Sequence, residues 1–321
     1  LPQAPSQYSP VRDPDAALKR RNDVLRRMRD QGYISRDAAE AALAEPLGIK
    51  LGSFVYFPVM EVSGVATSNV LRSPKPSDDV YAEINSVSRL VSNWDTHALE
   101  LRSTGLYNFH NDFPSEDDRA WSLEARGRLD VTRRSNIEAI VSHDVRQEGR
   151  GAIDATTSGE RPDVTTDQVG VTGNQRFNRL SLQLRGTHTG IDYSNTGSGA
   201  TFVNNDDRDA SNNREAIRAK WEFKPTLSAF AEIEGDQRSF DAPAVSDGFR
   251  RDSTGERYRL GVDFGSTGKI LRGEVSLGWG EQRPDDRHLE ATGTMLFDAN
   301  LAWRVSEMTS LLLTAQTDIY D

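Results

Sequence analysis

The sequence lacks several features that would each indicate a familiar class of protein. It has no cysteine, which excludes a disulfide framework, a thiolate metal site and a cysteine nucleophile. No stretch approaches the roughly 18 consecutive apolar residues of a membrane-spanning helix. Hydrophobic residues make up only 36% of the chain, against roughly 45–50% in an ordinary soluble domain. Basic residues are outnumbered by acidic ones, 39 against 49, which argues against a nucleic-acid-binding protein.

Two classes of protein remain after these exclusions. One is a soluble β protein of low hydrophobicity, and the other is a transmembrane barrel whose apolar residues are hidden in an alternating pattern. The chain begins at Leu1 without a methionine or a signal-peptide pattern, so we expect its natural N-terminus to be missing.

Residues 1–49 have the pattern of two short helices. Asp13-Pro14 is typical of a helix start, because an N-cap residue is followed by proline at the first helical position. Gly32 is typical of the end of that helix, and Ser35 caps a second predicted helix over residues 36–45. The two helices predict a helical hairpin that is too small to bury a core of its own.

From Leu51 onward the hydrophobic period changes from that of a helix to that of a strand. Apolar and polar side chains alternate through residues 121–131, and the same pattern returns in residues 180–186, 258–264 and 295–305. The longest runs keep one apolar face for about ten residues, which exceeds a usual soluble strand and suits a tilted strand that crosses a bilayer. The sequence contains about 13 such strands.

The connections between the predicted strands alternate in length. Short turns are predicted at Ser92–Asp95, Thr132–Ser135, Phe177–Arg179, Lys224–Thr226, Ser266–Gly268 and Ser306–Thr309. Long polar loops are predicted at 64–78, 109–117, 149–166, 194–212, 237–254 and 281–288. Outer-membrane barrels are built with short turns on one side and long loops on the other, whereas the Greek-key connections of a soluble sandwich give no such order.

Aromatic residues near the strand ends indicate the same architecture. Trp94, Phe177, Phe223, Phe264 and Trp303 lie close to short turns, and Tyr107, Trp121, Tyr193 and Trp279 lie close to long loops. Two aromatic belts are expected at the two membrane interfaces. The predicted fold is therefore mainly β: an antiparallel transmembrane β-barrel over residues 50–321, preceded by the helical segment 1–49.

Charged residues on the polar phase of the strands are the candidate functional residues. Each basic one would cost about 2–4 kcal/mol at the bilayer midplane, so we expect the whole set to face the lumen. The set is Arg102, Glu124, Arg126, Arg128, Glu138, Arg146, Arg185, Arg218, Lys220, Glu222, Glu232, Glu234, Arg259, Asp263, Arg272, Glu274 and Arg304. Their mixed signs fit either a pore that screens solutes by size and charge or a plugged scaffold barrel whose charges neutralise one another.

Other residues give no indication of catalysis or of a cofactor. The five histidines are scattered without metal-ligand spacing, and His143 falls on the apolar phase of its strand, which predicts a barrel-surface or interface position. The acidic loop 204–209 lacks the glycine and late glutamate of an EF-hand, so we expect a solvated loop and not a calcium site. Ser266-Thr267-Gly268-Lys269 fits Ser-x-x-Lys only by chance, because it lies in a turn without partner motifs. We therefore expect a non-enzymatic protein without cofactor or metal.

The first part of the chain resembles the C-terminal end of the family 51 glycosyltransferase domain of class A penicillin-binding proteins. The resemblance lies in Leu1–Pro10, Arg20–Leu25 and Gly32–Ser35 and covers about 48 residues. It implies peptidoglycan polymerisation in the parent family, but the catalytic glutamate motif of that family is missing here. The Arg20-Arg21 pair matches the last motif of the family, for which the resemblance implies a structural role.

The rest of the chain resembles outer-membrane porins of the β-barrel porin type 2 family. The matching features include Phe57-Pro58, Ser68-Asn69-Val70, Asp95–Leu99, Gln175–Arg179 and Leu271–Glu274. The resemblance covers about 270 residues and implies a place in the outer membrane of a Gram-negative cell, beside exopolysaccharide synthesis and export. It names no substrate.

Three hypotheses follow for function and one for the origin of the chain. The first is a porin or an exopolysaccharide export-associated channel, with outer-membrane lipid and polysaccharide or small solutes as partners and no nucleic acid. The alternatives are a fragment of a peptidoglycan glycosyltransferase/transpeptidase, or a non-conducting structural barrel. Because the two resemblances meet within Pro46–Ile49, we expect an artificial or recombined junction there, a chain truncated at both ends, and helices on the periplasmic side.

Overall fold

The computed structural model describes residues 23–29, 48–71, 73–149, 161–265, 270–306, 309–317 and 319. Residues 23–29 form a helix that lies within the first predicted helix. The second predicted helix, residues 36–45, lies outside the described residues. Within the described segments, no helix is both long enough and apolar enough to cross a membrane.

In the described part of the chain, fourteen antiparallel strands form one sheet in which every strand pairs with its neighbours in chain order. The strands are β1 (Ile49–Leu51), β2 (Phe54–Thr67), β3 (Asp79–Ser92), β4 (Ala98–His110), β5 (Asp118–Thr132), β6 (Ser135–Gln147), β7 (Asp163–Phe177), β8 (Leu180–Tyr193), β9 (Ala210–Lys224), β10 (Leu227–Phe240), β11 (Ser253–Asp263), β12 (Leu271–Pro284), β13 (Thr292–Arg304) and β14 (Ser310–Gln316). Two short 3-10 helices, Pro114–Glu116 and Gly199–Thr201, lie in the long connections.

The antiparallel architecture and the alternation of short and long connections are confirmed. The structure adds the three-residue strand β1 to the thirteen longer strands. Among the described residues the sheet is open, with β1 and β14 at its two edges, so the predicted closure into a barrel is not seen.

The strands extend further towards the long connections than the hydrophobic pattern predicts. Residues 64–67, 163–166, 210–212 and 237–240 were predicted as loop, and all of them lie in strands. In these stretches the apolar phase carries polar or small residues, such as Gly64 and Ser239, so the alternation fades although backbone pairing continues, as between Gln237 and Thr254. Alternation depends on one face being apolar, whereas the ladder of backbone hydrogen bonds does not.

The two faces of the sheet are reversed relative to those of a soluble protein. Ile217, Leu260 and Met295 are 58%, 69% and 66% exposed on one face. On the opposite face Glu232 is 7% exposed and Arg257 is 1% exposed. A monomeric soluble protein keeps exposed apolar patches small and rarely buries charges completely, so the apolar face is suited to lipid.

Ion pairs between distant strands show that the charged face is concave. Arg218 Nη2 on β9 lies 2.6 Å from Glu274 Oε2 on β12. Three strand spacings separate these strands, or about 14 Å in a flat sheet. Curvature brings the two side chains together, so the charged face is the inside of the curved sheet and the apolar face is its outside.

Candidate functional site

Three carboxylates on β10 form the centre of the concave face. Glu232, Glu234 and Asp236 occur at every second position, so they project from the same side of the strand. Their side chains are only 7%, 6% and 4% exposed. A buried carboxylate is costly unless it is paired, and cations on the neighbouring strands supply the partners.

Five arginines on β8, β9 and β11 surround these carboxylates. Glu232 Oε2 lies 3.2 Å from Arg185 Nη2, and Glu232 Oε1 lies 3.6 Å from Arg259 Nη1. Glu234 Oε1 lies 3.7 Å from Arg214 Nε. Arg238, on β10 itself, is a sixth partner, with its Nε 3.5 Å from Asp236 Oδ2. We call the three carboxylates and these six arginines the charge cluster: Arg185, Arg214, Arg218, Arg238, Arg257 and Arg259.

Arg257 is the most buried member of the charge cluster. It pairs with Asp236, and its Nη1 lies 3.8 Å from Glu234 Oε1. Gln282 Nε2 donates hydrogen bonds to Asp236 Oδ2 at 3.3 Å and to Ser253 Oγ at 3.0 Å. A Cβ atom at Gly255 would overlap the Gln282 and Asp236 side chains, so only glycine leaves room for this network.

A second set of ion pairs continues the charge cluster towards the short turns. Lys220 Nζ donates to Asp263 Oδ2 at 2.8 Å, and Arg259 Nε donates to Asp298 Oδ2 at 3.1 Å. The Arg218 guanidinium lies 3.6 Å from the centre of the Phe230 ring, a cation–π contact on the same face. These contacts connect β9 through β13 across the concave face.

The structure gathers only part of the predicted lumen-facing set. Residues that pair directly on neighbouring strands project from the same face of the sheet. The pairing along the sheet places the whole set on the face of the charge cluster; for example, Arg102 pairs with Glu124, and Arg128 pairs with Glu138. Ion pairs join the members Arg185, Arg218, Lys220, Glu232, Glu234, Arg259, Asp263 and Glu274 to one another, while Glu222 pairs with Arg176 at 2.6 Å. That this face lines a lumen stays a prediction.

The other predicted members lie apart from the charge cluster. Arg126 pairs with Glu124 and Arg128 pairs with Asp130, each within one strand. Among the described residues, the remaining members make no ion pair: Arg102, Glu138, Arg146, Arg272 and Arg304. Similar alternation along the chain thus leads to two different environments.

Sequence reasoning missed Asp236, Arg257, Arg214 and Arg238. Asp236 lies next to the predicted loop 237–254, and Arg257 just beyond it, where the alternation is weak. Their phase was nevertheless visible, because Asp236 follows Glu232 and Glu234 at steps of two, and Arg257 precedes Arg259 by two.

Two of the cavities on the concave face adjoin the charge cluster, one towards each end of the strands. The larger one, of about 1590 Å³, lies towards the long connections, with Arg185, Arg214 and Glu234 of the charge cluster in its wall. The smaller one, of about 730 Å³, lies towards the short turns and includes Arg218, Lys220 and Glu274. The charge cluster therefore separates two polar, open spaces.

The histidine and loop predictions have different outcomes. His143 lies on the apolar face, where Nδ1 is 2.7 Å from Asp167 Oδ1 and the ring is 4.9 Å from the ring of Trp121, so its surface position is confirmed. In the described part of the chain, no group of three or more histidine or carboxylate residues could hold a metal ion. The loop 204–209 is partly buried rather than fully solvated, since Asn205 is 1% exposed.

Burial also affects the acid–base properties of this loop. Burial raises the pKa of Asp209, and the carboxylates of Asp192, Asp206 and Asp241 raise it further, whereas the hydrogen bond from the Tyr193 backbone N–H lowers it. In another long connection, hydrogen bonds from the backbone and side chain of His288 lower the pKa of Asp286.

With this geometry described, comparison with known proteins identifies the family. Residues 41–321 match the family described as Putative beta-barrel porin 2. The chain belongs to this family. Together with the lipid-suited apolar face and the connection lengths, membership makes it an outer-membrane β-barrel protein.

A second similarity covers a short segment. The chain is 48% identical over 50 residues to penicillin-binding protein 1A of Aquifex aeolicus (strain VF5), or 16% of this chain and 7% of that protein. It is 51% identical over 47 residues to penicillin-binding protein 1A of Streptococcus pneumoniae, or 15% of this chain and 6% of that protein. The chain thus spans less than a tenth of the length of these curated relatives.

Comparison with solved structures finds two distant similarities. The copper transporter OprC is 8% identical with a TM-score of 0.38, over 79% of this chain and 55% of that one. OmpT, an outer membrane protein of Vibrio cholerae, is 10% identical with a TM-score of 0.32, over 84% of this chain and 95% of that one.

Proposed function

We propose that this chain forms a water-filled passage across the outer membrane, through which small solutes or a polysaccharide move, and that it catalyses no reaction. The observation that carries the proposal is the opposition of the two faces: exposed aliphatic residues outside, and paired charges with two polar cavities inside. Charges cost several kcal/mol in lipid but little beside water, so the inner face is suited to a hydrated lumen.

A second candidate is a structural barrel that does not conduct. The charge cluster favours it, because Arg185, Arg218 and Arg259 each bridge to carboxylates across the concave face and hold their side chains over it. A fragment of a peptidoglycan polymerase stays a prediction that rests on about 50 residues of similarity.

Planar-bilayer recording of the full chain separates passage from scaffold. We expect discrete conductance steps that increase in proportion to the salt concentration, and a changed step size in the double variant Arg185→Ala/Arg218→Ala, which opens the charge cluster. Val169→Ala on the apolar face is the matched control and should leave the step size unchanged. A protein that inserts with full β-sheet content and stays silent would favour the scaffold.

The absence of cysteine makes the orientation testable by site-specific labelling. Short turns lie on the periplasmic side of bacterial barrels, and β2 runs from that side into the long connection 68–78, which supports a periplasmic N-terminal segment. A membrane-impermeant maleimide should label Ser246→Cys in intact cells, but Thr226→Cys only after the outer membrane is permeabilised. The reverse pattern would contradict this orientation.

A further inference from the structure

The cavity near the short turns carries uncompensated positive charge. Its wall contains three carboxylates, and each is already paired: Asp130 with Arg128, Asp263 with Lys220, and Glu274 with Arg218. Arg133 and Arg134, which form the β5–β6 turn, also lie in the wall and make no ion pair with any described residue. These two guanidinium groups are exposed and available to an anion.

A row of three amide side chains crosses the wall of the same cavity. Asn174 Nδ2 on β7 donates to Asn136 Oδ1 on β6 at 2.8 Å, and Gln183 Nε2 on β8 donates to Asn174 Oδ1 at 2.9 Å. Each amide group carries two N–H bonds, so Asn174 and Gln183 each keep one N–H for a ligand and Asn136 keeps two. Such neutral donors and acceptors suit hydroxyl groups, whereas the arginines suit carboxylates.

The charges of the connections between strands are distributed in the same sense. The six long connections contain 16 acidic and 8 basic residues, whereas the seven short turns contain 2 acidic and 4 basic residues. A field of this polarity attracts anions to the short-turn end and disfavours them at the other end.

Resting on the passage function above, we propose that the cavity at the short turns binds a hydroxylated carboxylate, such as a sugar acid. The carboxylate pairs with Arg133 and Arg134, and the hydroxyl groups hydrogen-bond to the amide row Asn136, Asn174 and Gln183. The cavity volume of about 730 Å³ falls within the range of about 300–1,000 Å³ that small-molecule sites occupy.

Calorimetric titration of the full chain refolded in detergent tests this site. Trigalacturonate should bind at least about tenfold more tightly than maltotriose, which has the hydroxyls without the carboxylates. Arg133→Gln/Arg134→Gln should lower the affinity for trigalacturonate by about tenfold or more, since charge-assisted hydrogen bonds are the strongest ones available here. The matched control Arg250→Gln/Arg251→Gln removes the same charge at the opposite end and should have little effect.

Two further probes test whether hydroxyl groups are recognised. Tricarballylate carries carboxylates without hydroxyls, and inorganic phosphate is a simple anion; both should bind more weakly than trigalacturonate. Asn174→Leu should weaken trigalacturonate binding and leave tricarballylate binding unchanged. Far-ultraviolet circular dichroism verifies the fold of each variant, and Arg133→Gln alone gives a milder test at an exposed turn position.

The results that would overturn the binding site differ from those that would overturn the passage function. Equal losses in the two arginine double variants would mean general charge attraction and would overturn the site. Equal affinity for trigalacturonate, tricarballylate and phosphate would overturn the sugar-acid assignment. Absence of binding would overturn the site even if the bilayer recordings show conductance, whereas binding by a silent protein would refute the passage and leave a binding site.

Discussion

The concave face has two regions with the same alternation and different environments. On β8 to β13, Glu232 is 7% exposed and Arg257 is 1% exposed, and ion pairs cross from strand to strand. On β5, the Arg126 and Arg128 side chains are 61% and 51% exposed and pair only within their own strand. The difference shows that phase decides which face a charge occupies but does not decide whether it is buried.

Removing the buried arginine should give the largest effect. Arg257→Met leaves the buried Asp236 without its closest cation and removes one of the partners of Glu234, which should cost about 3–5 kcal/mol in the free energy of unfolding. Arg128→Met removes an exposed ion pair and should cost about 0–1 kcal/mol. Urea unfolding of the protein folded into lipid vesicles measures both. Equal losses would mean that the two regions are energetically alike.

A charge on the apolar face tests the assignment of that face to lipid. Leu260→Arg places a cation in the apolar band of β11 and should cost about 2–4 kcal/mol. Thr254→Arg lies on the same face of the same strand near the long connection, where the cost should be about 0–1 kcal/mol. If the two variants unfold at the same urea concentration in vesicles, the apolar band does not face lipid.

Glycine substitutions test the role of residue size in the buried region. A Cβ at Gly255 would overlap the side chains of Gln282 and Asp236, so Gly255→Ala should cost about 1–3 kcal/mol through overpacking. A Cβ at Gly127 would meet no atom within 4 Å, and Gly127→Ala should leave stability nearly unchanged. A neutral Gly255→Ala would show that the network shifts freely, which contradicts a tightly packed cluster.

The smallest effects concern the long connections and depend on pH. The pKa of Asp209 is raised in the folded protein, so the protein loses stability as pH rises through the folded pKa and Asp209 becomes charged. Asp209→Asn should therefore stabilise the protein at pH 7 but not below about pH 3.8. The pKa of Asp286 is lowered, so its contribution is lost as pH falls, and Asp286→Asn should destabilise the protein at pH 7.

Unfolding measured from pH 3 to pH 8 tests these opposite signs. Each variant should approach the parent protein at acidic pH, where both carboxyls are protonated in the folded and unfolded chains. If both variants change the free energy of unfolding in the same direction at pH 7, relative to the parent protein, the two environments assigned to Asp209 and Asp286 are wrong.

The sequence by itself determined the strands, their order and the face on which each charge lies. Alternation is a local property with a period of two residues, so Glu232, Arg259 and Lys220 could be assigned to the polar face without coordinates. The same argument failed at the strand ends, where polar or small residues occupy the apolar phase, and it therefore missed Asp236 and Arg257.

Only the tertiary structure decided which charges meet. Arg218 and Glu274 are 56 residues apart in sequence, and their contact depends on the curvature that accumulates over three strand pairings. The unpaired state of Arg133 and Arg134 likewise follows from carboxylates on β11 and β12 being taken by other cations. Pairing is a long-range competition among side chains, and a local pattern carries no information about which partner wins.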